Sequence, residues 1–82
     1  MEHQIRLVGL ARDIAGAECV PCTLPSDATV ATLRQELAQQ CPPIAELLTS
    51  CAIAIDYHYQ SDNTPVRDDV TEIAVIPPVS GG

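Results

Sequence analysis

The 82-residue chain predicts a single α+β domain, residues 1–82, with one main helix crossing one face of a sheet. Three observations support this. Apolar residues alternate near both ends, in Gln4–Val8 and Glu72–Ile76, and a helical stripe lies between them. Clusters of Pro, Gly, Asp and Ser separate the segments. A chain of this size buries only about 60–65% of its extended surface, so its core must be efficient. With no Phe, no Trp and two Tyr, that core must be built from Ile, Val, Leu and Ala. At 46% hydrophobic residues, the composition is too apolar for disorder.

In Gln4-Ile5-Arg6-Leu7-Val8, Ile5 and Leu7 share one face, and Arg6 and Val8 share the other. Leu10 to Ala15 reads as a short helical turn punctuated by Gly16, and Cys19 to Leu24 as a second strand. Pro21 marks that strand as an edge, because proline has no N–H for a second ladder. Thr29 is an N-cap for a helix whose apolar positions are Val30, Leu33, Leu37 and Cys41, and Pro42-Pro43 ends it. Ile44 to Leu48 forms a second, shorter helix. Ala52 to Tyr57 is rich in β-formers and reads as one strand. Two turn clusters follow, Ser61–Pro65 and Arg67–Asp69, with room between elements for one more short strand. Glu72 to Ile76 is the final strand, cut off by Pro77. If Ile5, Leu7, Ile73 and Val75 face the helix, then Val8, Ala74 and Ile76 face outward as an apolar patch, a candidate docking surface that Tyr59 joins.

Eleven acidic residues stand against four Arg and no Lys, a net charge of −7. This disfavours nucleic acid, whose phosphates would be repelled, and favours a basic partner. No side-chain amine is present to form a Schiff base or accept an acyl group. No apolar run is long enough to span a membrane, and no secretory signal is visible, so the expected location is cytoplasmic. Cys19-Val20-Pro21-Cys22 has the spacing of zinc and redox sites. On a strand, however, residues three apart point to opposite faces, and Cys41 and Cys51 form no second close pair. The four cysteines are expected to be free thiols acting as small hydrophobes, with no metal. His3 and His58 are isolated and expected to be solvated. No base-and-nucleophile pair is recognisable.

The end of the chain, Pro77-Pro78-Val79-Ser80-Gly81-Gly82, remains to be explained. Two terminal glycines arise by chance in roughly 0.5% of chains. The P-P-V-S-G-G ending closely resembles the P-P-V-x-G-G ending of the small subunits of molybdopterin synthase, the MoaD family. Leu10 to Gly16 is similar to that family's A-x-x-R-E-x-x-G segment, and Thr29-Val30-Ala31-Thr32-Leu33 to its T-V-x-x-L helix start. Ile55-Asp56 stands where many members carry Val-Asn, Pro65-Val66 where they carry Pro-Leu, and Glu72-Ile73-Ala74 where they carry E-V-A. The usual D-G-D-E turn is one residue longer here, Asp68 to Glu72, and lacks its glycine. Leu7-Val8 replaces a frequent aromatic pair.

The resemblance implies a ubiquitin-like β-grasp: a mixed sheet with one main helix packed across one face, a globular part at 1–76 and a flexible C-terminal tail at 77–82. It also implies the work of a sulfur carrier. A MoeB-like activating enzyme would use ATP to adenylate the Gly82 carboxylate. A sulfur donor protein would then convert it to a thiocarboxylate (a 1-thioglycine). The loaded tail would enter a MoaE-like large subunit, within a heterotetramer, and give its sulfur to the cyclic pyranopterin precursor of molybdopterin. In this scheme the chain binds no cofactor and is the non-catalytic, sulfur-donating subunit. The catalytic residues are expected on the large subunit.

The residue types suit that chemistry. Gly81 and Gly82 have no Cβ to block a narrow channel, whereas Pro77 and Pro78 fix φ and stiffen the exit from the sheet. Val79 and Ser80 carry the tail onward. Other readings stay open: a sulfur carrier for thiamine, cysteine or tRNA thiolation, a ubiquitin-like modifier joined through Gly82 to a target lysine, or a redox or metal module on Cys19 and Cys22.

Overall fold

The computed structural model describes residues 1–78. Its elements run β1 (Glu2–Leu7), α1 (Gly9–Ala15), β2 (Cys19–Thr23), α2 (Val30–Gln40), a 3-10 turn (Pro42–Ile44), α3 (Ala45–Leu48), β3 (Ala52–Ile55), β4 (His58–Gln60) and β5 (Ile73–Ile76). The five strands form one mixed sheet in the order β2-β1-β5-β3-β4, with β1 and β5 parallel and the other neighbours antiparallel. Two antiparallel pairs are thus joined through a central strand, and α2 packs on one face. This is the β-grasp arrangement.

The pairing register explains the core. Ile5 lies opposite Ile73 and Leu7 opposite Val75, while β3 brings Ile55 beside Ile73 and Ile53 beside Val75. All of these face the helix side and are buried. Val30, Leu33 and Leu37 of α2 close over them at helical spacing, with Leu24, Ile44, Leu48 and Val66 filling the margins. The N-terminus of α2 is set by a reciprocal cap: Thr29 N–H donates to Thr32 Oγ1 and Thr32 N–H to Thr29 Oγ1. From α2, Arg34 donates through Nη1 to the carbonyls of Leu48 and Cys51, at 2.6 and 2.7 Å, and through Nε to Asp62. It thereby satisfies carbonyls at and just beyond the end of α3.

Pro21 does lie in an edge strand, and α1 ends at Gly16, whose φ of +74° is a left-handed cap. Two expectations need correction, and a third, the extra short strand, is met. The strand expected through Tyr57 stops at Ile55, because Asp56 and Tyr57 form the two-residue turn of a β3–β4 hairpin. The room left for one more strand is filled by β4. His3 is half-buried rather than solvated, since alternation sets it on the helix side with Ile5 and Leu7, opposite Cys22. Its Nε2 is buried with no hydrogen-bond partner among the described residues.

Candidate functional site

The strand that leads into the tail is the central strand of the sheet. β5 is third of the five strands, paired with β1 on one side and β3 on the other. Pro77 has no N–H, so the ladder ends there. Val8, at the N-cap of α1, donates its backbone N–H to the Val75 carbonyl at 3.4 Å. The Pro77 ring then lies over the start of α1, where a methyl group on Gly9 would stand 4.0 Å from Pro77 Cγ. Gly9 has φ +55°, so it suits a turn this tight better than an L-residue would. The chain therefore leaves the domain from a fixed point on its central strand. Val79, Ser80, Gly81 and Gly82 lie outside the described residues.

The sheet face away from α2 is open. The register places Cys19, Arg6, Ala74, Ala54 and Tyr59 side by side across all five strands. Small side chains at its centre leave a concavity. Ala54, Ala74 and Ile76, together with Tyr57, Tyr59 and Glu72, line a groove of about 220 Å³. Of the expected docking residues, the structure brings Ala74, Ile76 and Tyr59 together here. Val8 is half-buried and stands outside the groove lining. A shallower depression of about 600 Å³, between Ser26–Ala28 and Pro65–Asp69, lies at the opposite end of β5 from the tail.

Sequence reasoning did not single out Tyr57, Ala54 and Glu72. Tyr57 is 82% exposed and Tyr59 71%, whereas Ala54, beneath them, is 6% exposed. Asp56 and Tyr57 have φ +49° and +72°, the left-handed conformations of a two-residue hairpin loop that usually takes Asn-Gly. Asp56 secures this turn. Its Oδ1 accepts from the backbone N–H groups of Thr71 and Glu72, both at 2.8 Å, and its own N–H donates to the Glu72 carbonyl at 2.8 Å. One side chain thus ties the hairpin to the residues that lead into β5. The only signal in sequence was Asp56 itself, a residue that tolerates left-handed backbone.

At the end of the groove, Arg6 Nε donates to Glu72 Oε1 at 2.9 Å. That hydrogen bond and the carboxylate charge raise the Arg6 pKa further above its already high value. Cys19 is exposed and Cys22 buried, so the C-x-x-C thiols do not converge. Burial, with a smaller contribution from the charge of Glu36, pushes the Cys22 thiol up to about 11, which keeps it protonated and unreactive. No group of three or more His, Cys, Asp or Glu is gathered for a metal among the described residues. No helix among them is long and apolar enough to cross a membrane.

Residues 5–82 match the model of the ThiS family. The chain is a member of the ThiS family. The resemblance to ubiquitin-like sulfur carriers, drawn above from the tail and the helix start, is thereby borne out. This ThiS-family chain is 29% identical over 82 residues to the molybdopterin synthase sulfur carrier subunit of Arabidopsis thaliana, spanning all of this chain and 84% of that protein. It is similar, at 30% identity and a TM-score of 0.67 over the full length of both chains, to a chain in the complex of subunits 1 and 2 of the molybdopterin-converting factor from Helicobacter pylori. SAMP1 from Haloferax volcanii has a TM-score of 0.85 over both full chains at 20% identity, which supports the ubiquitin-like fold alone.

Proposed function

We propose that this ThiS-family chain is the sulfur carrier subunit of a molybdopterin synthase, with the Gly82 carboxylate as its working group. The observation that carries this reading is similarity along the whole chain to a protein of that name, with a family match that runs through Gly82. The Helicobacter pylori complex supports a large subunit as partner. The geometry agrees, because a tail that must place one atom in another protein needs a rigid origin, and Pro77 departs from the central strand.

The chemistry follows from the carboxylate. Displacing oxide from it is prohibitive, so an activating enzyme first joins it to AMP, releasing pyrophosphate from ATP. The terminal sulfur of a donor-protein persulfide then attacks the carbonyl carbon, the C–O bond to the phosphate breaks and AMP leaves. A thiol reductant cleaves the S–S bond of the resulting acyl disulfide, freeing the donor and leaving the thiocarboxylate. The resulting thiocarboxylate sulfur attacks the pyranopterin precursor, and water finally returns the carbonyl to a carboxylate. Two loaded chains supply the two dithiolene sulfurs. This chain contributes position, a thin tail and a docking face. The large subunit supplies cations for the terminal charge, since none of the four Arg lies in the tail and there is no Lys.

A second reading is a modifier conjugated through Gly82 to a target lysine, which would use the same adenylation of the terminal carboxylate. Carriers for thiamine, cysteine or tRNA thiolation share the same activation step. Co-purification with a large-subunit homologue, followed by molybdopterin synthesis from the loaded complex, tests the proposal. Capture of lysine-linked adducts without any such subunit would contradict it.

A further inference from the structure

Tyr57 is a bulky side chain in a conformation that favours glycine, and it makes little contact with its own domain. A left-handed non-glycine residue persists only where its surroundings over-determine it, as Asp56 does here. The strain therefore holds an aromatic ring over the open face, beside Tyr59 and above a floor of Ala54, Ala74 and Ile76.

Glu72 closes that groove. Its Oε1 accepts from Arg6, and Oε2 makes no hydrogen bond among the described residues. Covering this carboxylate with an apolar side chain would strip its water and return nothing. A guanidinium would replace that water with charge-assisted bonds, lay its stem along the alanines and meet aromatic faces. The cation has to come from outside. All four arginines are already paired within the chain, Arg6 with Glu72, Arg12 with Asp13, Arg34 with Asp62 and Arg67 with Asp69, and the net charge is −7.

We infer that the groove between Tyr57, Tyr59 and Glu72 is the anchor pocket for one arginine side chain of the large-subunit partner. This rests on the proposed function, and it makes Tyr57 a specificity-determining residue rather than a fold residue.

The test is calorimetric titration of the full chain into the cognate large subunit at several salt concentrations. Tyr57→Gly should weaken binding at least ~10-fold while the melting midpoint stays level or rises, because glycine relieves the left-handed strain. Glu72→Gln should weaken binding similarly and flatten its salt dependence. Arg6→Gln, which frees Glu72 from its internal partner, should leave affinity unchanged or tighter. Were the Arg6–Glu72 pair merely structural, both of its variants would weaken binding together, and the inference would fall. Loss of affinity in Tyr57→Gly with none in Glu72→Gln would mean an apolar occupant and would overturn the arginine assignment. Unchanged affinity in Tyr57→Gly would overturn the pocket. If the unaltered chain does not bind the large subunit at all, the functional proposal fails and the anchor pocket fails with it.

Discussion

Asp56→Ala is the substitution through which local geometry should have its clearest effect on the whole domain. Asp56 Oδ1 accepts from two backbone donors at 2.8 Å, one of which, Glu72 N–H, is part-buried while Thr71 N–H is exposed. Hydrogen bonds to charged groups contribute about 1.5–3 kcal/mol each, with the lower end or less for a donor that water can reach. Alanine also tolerates φ +49° less well than aspartate, adding up to ~1 kcal/mol. Together these effects cost about 2–3 kcal/mol, equivalent to roughly 10–20 °C in melting midpoint for a domain of this size. Urea titration followed by circular dichroism reads this as a lower midpoint at constant slope. Asp56→Asn keeps the acceptor and the turn preference, so it should lose less than ~1 kcal/mol. An alanine variant within ~0.5 kcal/mol of the unaltered protein would refute the assignment of Asp56 as the tie between hairpin and central strand. An asparagine variant as unstable as the alanine one would shift the effect from acceptor geometry to charge.

Three further outcomes follow. The raised Cys22 pKa means that the folded protein holds this proton more tightly than the unfolded chain, so the contribution is fully present below pH 9.0 and is lost as pH rises towards about 11. Stability should fall across that window by about 2 kcal/mol, and Cys22→Ala should flatten the fall; an equally steep alkaline loss in the variant would exclude the thiol as its source. His3→Leu removes a buried imidazole nitrogen that has no partner and should stabilise the domain by ~1 kcal/mol in the same urea assay, whereas destabilisation would point to an unseen partner for Nε2. Ile76→Lys, inside the groove, should weaken large-subunit binding more than Val8→Lys outside it, because the new cation repels an incoming guanidinium and competes for Glu72; the reverse order in a titration would move the docking face towards α1.

The parts legible in sequence were those set by local chemistry. Thr29, Val30, Leu33 and Leu37 announce the capped helix and its buried stripe, and Pro21 marks an edge because its missing N–H is a local fact. The parallel pairing of β1 with β5 is not local, since Ile5 meets Ile73 only after the rest of the chain has folded between them. Ala52–Tyr57 is a run of β-formers, so local propensity carries the strand through Tyr57, two residues past its end at Ile55. What turns the chain is the bond from Asp56 to residues well downstream, which no window around the hairpin contains. The face of His3 is legible, since alternation from Ile5 and Leu7 puts it on the core side; an isolated polar residue near a terminus suggests solvent, and the period outweighs that suggestion. The docking patch was recognisable in Ala74 and Ile76. Its aromatic wall at Tyr57 depended on the turn.

The central claim is that Gly82 carries sulfur as a thiocarboxylate. Intact-mass spectrometry of the full chain after incubation with its activating enzyme, ATP and a sulfur donor tests it most directly. The account predicts a mass gain equal to replacing one oxygen by sulfur, localised to Gly82 by fragmentation and absent when Gly82 is deleted. A chain that is adenylated and then appears only in lysine-linked adducts, with no thiocarboxylate formed, would contradict it.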